Sequence, residues 1–96
     1  MARVTWTRHA LADLDRLEAF LAEKSPRSAA RAILAIIDAT EILGDFPEAG
    51  RMADDLDPEQ RDLLVPFSSS SYVVGYGVFG DELEIFNVRH MREDDV

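Results

Sequence analysis

The chain has 96 residues, 47% hydrophobic and 30% charged, a balance that supports one folded core over residues 1–96 and excludes the profile of a disordered chain. Acidic residues number 19 against 10 basic, and the resulting formal charge of −9 repels phosphate backbones, which argues against nucleic-acid binding by this chain alone. With no cysteine and 2 histidines there is no disulfide framework, no thiolate metal site and poor material for zinc, so neither metal nor cofactor is expected.

No stretch approaches the roughly 18 to 20 uninterrupted apolar residues of a membrane span, and Arg3, Thr5 and Arg8 replace the apolar core of a secretory signal. A cytoplasmic protein is expected. Lys24 is the one lysine; the other cations are arginines, whose planar fork suits carboxylate or phosphate recognition.

Val4-Thr5-Trp6 is a short β-leaning run. Thr7 is a helix N-cap, and Leu11, Leu14, Leu17 and Leu21, with Phe20 beside them, predict a helix from Arg8 to Glu23. Trp6 and Leu11 then occupy the positions of a hydrophobic staple. Ser25-Pro26 starts a second helix, a capping hydroxyl followed by proline at the first helical position. Its stripe of Ala29, Ile33, Ile36, Ile37, Thr40 and Leu43 runs to Gly44, a good residue just past a helix end. So short a connection predicts an antiparallel helix hairpin.

From Asp45 to Gln60 the pattern reads as loop. Phe46-Pro47-Glu48-Ala49-Gly50-Arg51 carries proline and glycine, and Asp54, Asp55, Asp57 and Glu59 make an acidic stretch without the glycine and bidentate glutamate of a calcium loop. Three β-rich runs follow: Asp62 to Phe67, Tyr72 to Phe79 and Leu83 to His90. Ser68 to Ser71 reads as a flexible turn without the histidine and acid that a serine nucleophile needs, and Gly80-Asp81 as a hairpin turn. On strict alternation Leu83 and Ile85 face one side of the last strand and Phe86 and Val88 the other, so both faces carry apolar area and one is left for a partner. Trp6, Phe20, Phe46, Tyr76 and Phe86 are expected in the core, and Glu93 to Val96 as a loose acidic tail. The fold class is α+β: an N-terminal short strand and an antiparallel two-helix hairpin packed on a three- to four-stranded antiparallel sheet.

Four segments carry a resemblance: Ala10-Leu11-Ala12-Asp13-Leu14; Ser25-Pro26-Arg27-Ser28-Ala29; Leu43 through Arg51; and Leu83-Glu84-Ile85-Phe86-Asn87-Val88-Arg89-His90. In this order and spacing, over nearly the whole chain, they resemble the ParE/RelE superfamily of type II toxins, the ParE branch more than the RelE branch. The resemblance implies a toxin of a plasmid-stabilising kind, held in a hetero-oligomer by a cognate ParD-like antitoxin whose C-terminal segment wraps it. It also implies one of two targets: DNA gyrase, poisoned by binding, or messenger RNA, cleaved on the ribosome.

Cleavage requires a base for a 2′-OH proton, an acid for the leaving oxygen and cations for the charged phosphorane, and Arg61, Arg89 and His90 are the candidate set. His90, with an unperturbed pKa of about 6.5, suits acid–base work. Several ribonuclease-like relatives end the last strand in His-Tyr, whereas Met91 follows His90 here, and a thioether shuttles no proton. The favoured expectation is therefore binding without covalent chemistry, with Arg51, Arg89, His90 and Arg92 as target contacts. A ribonuclease and a non-toxic, antitoxin-binding co-repressor remain the alternatives. The plain structural readings stand beside these: Arg89, His90 and Arg92 as strand-end cations paired with Glu93, Asp94 and Asp95 or with residues of the acidic loop from Asp54 to Asp62, Arg51 as a tie to the acidic loop, and Arg61 as a partner of Asp57, Glu59 or a cross-strand carboxylate.

Overall fold

The computed structural model describes residues 2–54 and 57–91. In chain order the elements are β1 (Arg3–Trp6), α1 (Arg8–Ala22), α2 (Pro26–Asp45), β2 (Arg51–Asp54), β3 (Asp57–Phe67), β4 (Ser70–Phe79) and β5 (Glu82–His90).

Both helix starts are where the capping residues put them. Thr7 Oγ1 accepts from the Ala10 amide at 3.1 Å, and Ser25 Oγ accepts from the Ser28 amide at 3.2 Å, each satisfying a donor that has no carbonyl one turn back. The end of α2 differs from expectation. Gly44 lies inside the last turn, which closes through the Phe46 amide on the Ile42 carbonyl at 2.9 Å. Its small size serves packing: a Cβ there would sit 3.1 Å from the Ala2 carbonyl oxygen, and the Ala2 amide bonds the Gly44 carbonyl at 2.8 Å. Glycine lets the entry to β1 lie directly on the helix.

The sheet has five strands in the order β1-β5-β4-β3-β2, with both helices packed on one face. It is larger than the three to four strands expected, and mixed. The stretch read as loop from Asp45 to Gln60 contributes β2 and the first residues of β3, which pair in antiparallel register. Short-range proline and glycine signals conceal a strand whose stability comes from its neighbour. β1 runs parallel to β5, with Trp6 opposite Ile85, because the helix pair intervenes between the first strand and the rest of the sheet.

The core between sheet and helices holds Leu14 and Leu17 of α1, Ile36 and Leu43 of α2, and Val65, Tyr72, Val74, Tyr76, Leu83, Ile85 and Val88 of the sheet. Each fully buried aliphatic chain in such a layer contributes about 1.5–3 kcal/mol. Three residues expected in the core lie elsewhere: Phe20 and Phe46 are more than half exposed and Phe86 is on the other face of the sheet, while Leu11 of the expected α1 stripe is also more than half exposed. Helical period alone does not say how wide the buried stripe is, and on α1 it narrows to Ala10, Asp13, Leu14 and Leu17.

The strict alternation expected of β5 also fails, for a definite reason. Tyr76 faces Ile85 while its neighbour Gly75 faces Asn87, so Phe86 is an extra residue in β5, a β-bulge. Beyond it the parity reverses. Leu83, Ile85 and Val88 all enter one core, and Phe86 goes to the opposite face, where its ring lies 6.2 Å from that of Phe79.

Candidate functional site

The face of the sheet away from the helices carries the candidate contact residues. The registers align Arg51 of β2, Asp62 of β3, Gly75 of β4 and Asn87 of β5 in one cross-strand row, with Arg89 two residues along from Asn87. Arg89 reaches over the glycine: its guanidinium donates to Asn87 Oδ1 at 2.9 Å and to Asp62 Oδ2 at 3.3 Å, the acid lying two strands away. Gly75 makes this bridge possible, since a Cβ there would stand 2.7 Å from Asn87 Oδ1. Gly75→Ala is expected to push Asn87 aside and loosen Arg89, lowering stability by about 1.5–3 kcal/mol, the scale of one hydrogen bond to a charged group. Chemical denaturation checks this.

Apolar side chains flank the polar row. Leu64 and Val73 are register partners on one side, and Phe79 and Phe86 form the ring pair on the other. Gly77 lies under that pair, with a notional Cβ 2.8 Å from the Phe86 ring. Leu64 and Phe79 are 40% and 47% exposed, so this face offers apolar area around two guanidinium groups. The unpartnered apolar face expected from the sequence is present, though it is built from Leu64, Phe79 and Phe86 and not from Val88.

The remaining predicted residues lie elsewhere. His90 pairs in register with Tyr72 and so belongs to the helix side; its Nε2 is 2.9 Å from Ser70 Oγ, and its ring meets Tyr72 edge-on at 5.3 Å. Ser70 therefore has a histidine partner across the hairpin, which the reading of the serine run as a flexible turn missed. Only Ser68 and Ser69 form the turn, with Ser68 at φ 57°, while Ser70 and Ser71 begin β4. Arg92 and the tail from Glu93 to Val96 lie outside the described residues, as do Asp55 and Leu56 of the acidic stretch.

The Asp57 and Glu59 side chains, named as partners for Arg61, lie outside what the structure describes, and Arg61 is engaged by backbone carbonyls. Its guanidinium donates to the Gly50 carbonyl at 2.8 Å and to the Glu48 carbonyl at 3.5 Å. Beside it Tyr76, unremarked by the sequence reading except as core, donates its hydroxyl to the Pro47 carbonyl at 2.7 Å and accepts from the Gly50 amide at 2.9 Å. Burial pushes the Tyr76 phenol above its ordinary value, while the Gly50 amide and the Arg61 charge pull the other way. Together the two side chains latch the α2–β2 loop to the sheet, leaving a cleft of about 910 Å³ between Phe46, Pro47, Arg61 and Val78.

Arg61, Arg89 and His90 are thus not assembled. Arg61 is opposite Tyr76 and His90 opposite Tyr72, four residues apart on β4, roughly 13 Å at about 3.3 Å per residue. Arg89 lies on the other face. Among the described residues no group of three His, Asp or Glu side chains could hold a metal ion.

Comparison with known proteins identifies the family. A family model described as the ParE toxin of the type II toxin–antitoxin system parDE matches residues 4–95. Toxin RelE2 of Caulobacter vibrioides is 36% identical over 90 residues, covering 94% of this chain and 96% of the relative. The putative toxin Y4kP of Sinorhizobium fredii is 30% identical over 91 residues, covering 95% and 90%. Among solved structures, one chain of the chromosomal ParDE system from P. aeruginosa superposes with a TM-score of 0.74 at 26% identity, covering 94% of this chain and 96% of that one.

Proposed function

We infer function from kinship: the chain belongs to the ParE toxin family of type II toxin–antitoxin systems, and its action is proposed to be inhibition of DNA gyrase by binding, relieved by a cognate ParD-like antitoxin in a toxin–antitoxin hetero-oligomer. The observation that supports binding over cleavage is the dispersal of the candidate catalytic set. A phosphoryl-transfer site needs its acid, base and cations within a few ångströms of one phosphate. Here Arg61 is committed to the Glu48 and Gly50 carbonyls, Arg89 is held by Asp62 on the far face, and His90 is engaged with Ser70. The proposed target contacts are Arg51 and Arg89 on the open face, His90 at the end of β5, and Arg92, which follows in the sequence outside the described residues.

Purified toxin is expected to inhibit gyrase supercoiling and to trap cleaved DNA, and the antitoxin is expected to reverse both effects. Lack of inhibition at large molar excess overturns the gyrase reading. Ribonuclease action is the second reading, kept by the RelE names of the Caulobacter relatives. Mapping transcript 5′ ends after induction tests it: new ends within codons support it, and their absence removes it.

A further inference from the structure

Asp13 is the buried carboxylate of α1, its side chain 12% exposed, and nothing in the proposed contact surface uses it. Its surroundings say what it does. β1 stops at Trp6, opposite Ile85, so the outer edge of β5 loses its strand partner just where the bulge begins. Groups of the following turn and helix take over the edge. The Thr7 amide donates to the Ile85 carbonyl at 3.0 Å, Thr7 Oγ1 donates to the Phe86 carbonyl at 3.2 Å, and Asp13 Oδ2 accepts from the Val88 amide at 2.9 Å.

We infer that Asp13 is a positioning residue for the functional strand end. Its carboxylate replaces the missing strand at the amide that follows the bulge. It thereby fixes the parity that sends Val88 to the core, Arg89 to the open face and His90 to Ser70. A bulge leaves the ladder locally disrupted, and an unbonded Val88 amide, buried as this residue is, could regain a partner only by a shift of β5. Such a shift by one residue would exchange the faces of Arg89 and His90. Asp13 also faces His9 Nε2 at 3.5 Å and an Arg16 nitrogen at 3.8 Å, both exposed, so its charge is partnered at the surface while its oxygen works inside. The inference that this geometry matters for target contact rests on the proposed binding at Arg89; the local geometry does not.

The test uses three variants of the full chain: Asp13→Asn, which keeps an acceptor oxygen; Asp13→Leu, which removes it; and Asp13→Glu, which keeps the charge but displaces it. Amide hydrogen exchange of Val88 is measured against Val74, its register partner in the ladder, and supercoiling inhibition is measured at equal folded concentration. The Leu and Glu variants are expected to speed Val88 exchange about tenfold more than Val74, in keeping with one lost hydrogen bond to a charged acceptor, and to weaken inhibition by a similar factor. Asn is expected to stay close to wild type in both. If Leu fails to fold, Glu against Asn decides. Val88 exchange that merely tracks Val74, or a Glu variant equal to wild type, overturns the inference. If the wild-type chain does not inhibit gyrase, the target reading falls and the exchange measurements alone judge Asp13.

Discussion

Replacing Tyr76 by phenylalanine is expected to lower stability by about 2–4 kcal/mol, because it removes a hydroxyl bonded on both sides and leaves the ring in place. The Gly50 amide and the Pro47 carbonyl each lose their bond to that hydroxyl, and Gly50 is buried. For a chain of this size such a loss corresponds to a fall in Tm on the order of 10–25 °C. Thermal unfolding measures it directly. The phenol also gives the effect a pH signature. Burial raises its folded pKa above the ordinary value near 10, so its contribution is fully present below about pH 10 and is lost as pH rises through the folded pKa. The stability gap between wild type and Tyr76→Phe is therefore expected to narrow in strongly alkaline solution. A gap that stays constant there would mean that burial of the phenol does not favour its protonated form.

The same latch shows why part of this molecule is legible in the sequence and part is not. Helix starts are local events: a capping hydroxyl and a proline decide them within one turn, and Thr7, Ser25 and Pro26 stand where expected. Hairpin turns are equally local, and Gly80, with φ 63°, supplies the left-handed residue between β4 and β5. The end of α2 is not local. Gly44 looks like a stop signal, yet its lack of a side chain answers to Ala2, more than forty positions away in the chain. β2 is the same kind of case, since its pairing partner in β3 and the loop latch through Tyr76 and Arg61 are long-range bonds that no propensity encodes.

The candidate site divides along the same line. That the strand end Asn87-Val88-Arg89-His90 is special could be read from its composition, but the bulge at Phe86 could not, and the bulge decides which side each residue takes. It carries Arg89 and His90 to opposite faces and brings Arg89 together with Asp62, the last acid of the stretch that the plain structural reading offered as its partner. The available signal was Gly75, a glycine in a strand otherwise rich in β-formers, which marks close approach by a neighbouring side chain.

Substituting Arg51 and Arg89 together by alanine is expected to weaken gyrase inhibition about 100-fold, since arginines at a contact surface each carry roughly 1–2 kcal/mol. The two residues differ in how they should contribute. Arg89 is held in place by Asn87 and Asp62, so little conformational entropy is lost when a partner engages it. Arg51 is exposed at the edge strand, and its charge faces the same Asp62 across the β2–β3 register. Arg51→Ala alone should therefore cost less than Arg89→Ala. A paired substitution of Arg27 and Arg31, exposed on α2, removes the same charge from the helix side and serves as the control, with inhibition expected to stay near wild type. Equal losses from both pairs would mean that the −9 chain responds to net charge alone and that the open face has no special part in target contact. Loss confined to the Arg51 and Arg89 pair, measured at equal folded concentration, is the result expected if the polar row over Gly75 is the surface that the target meets.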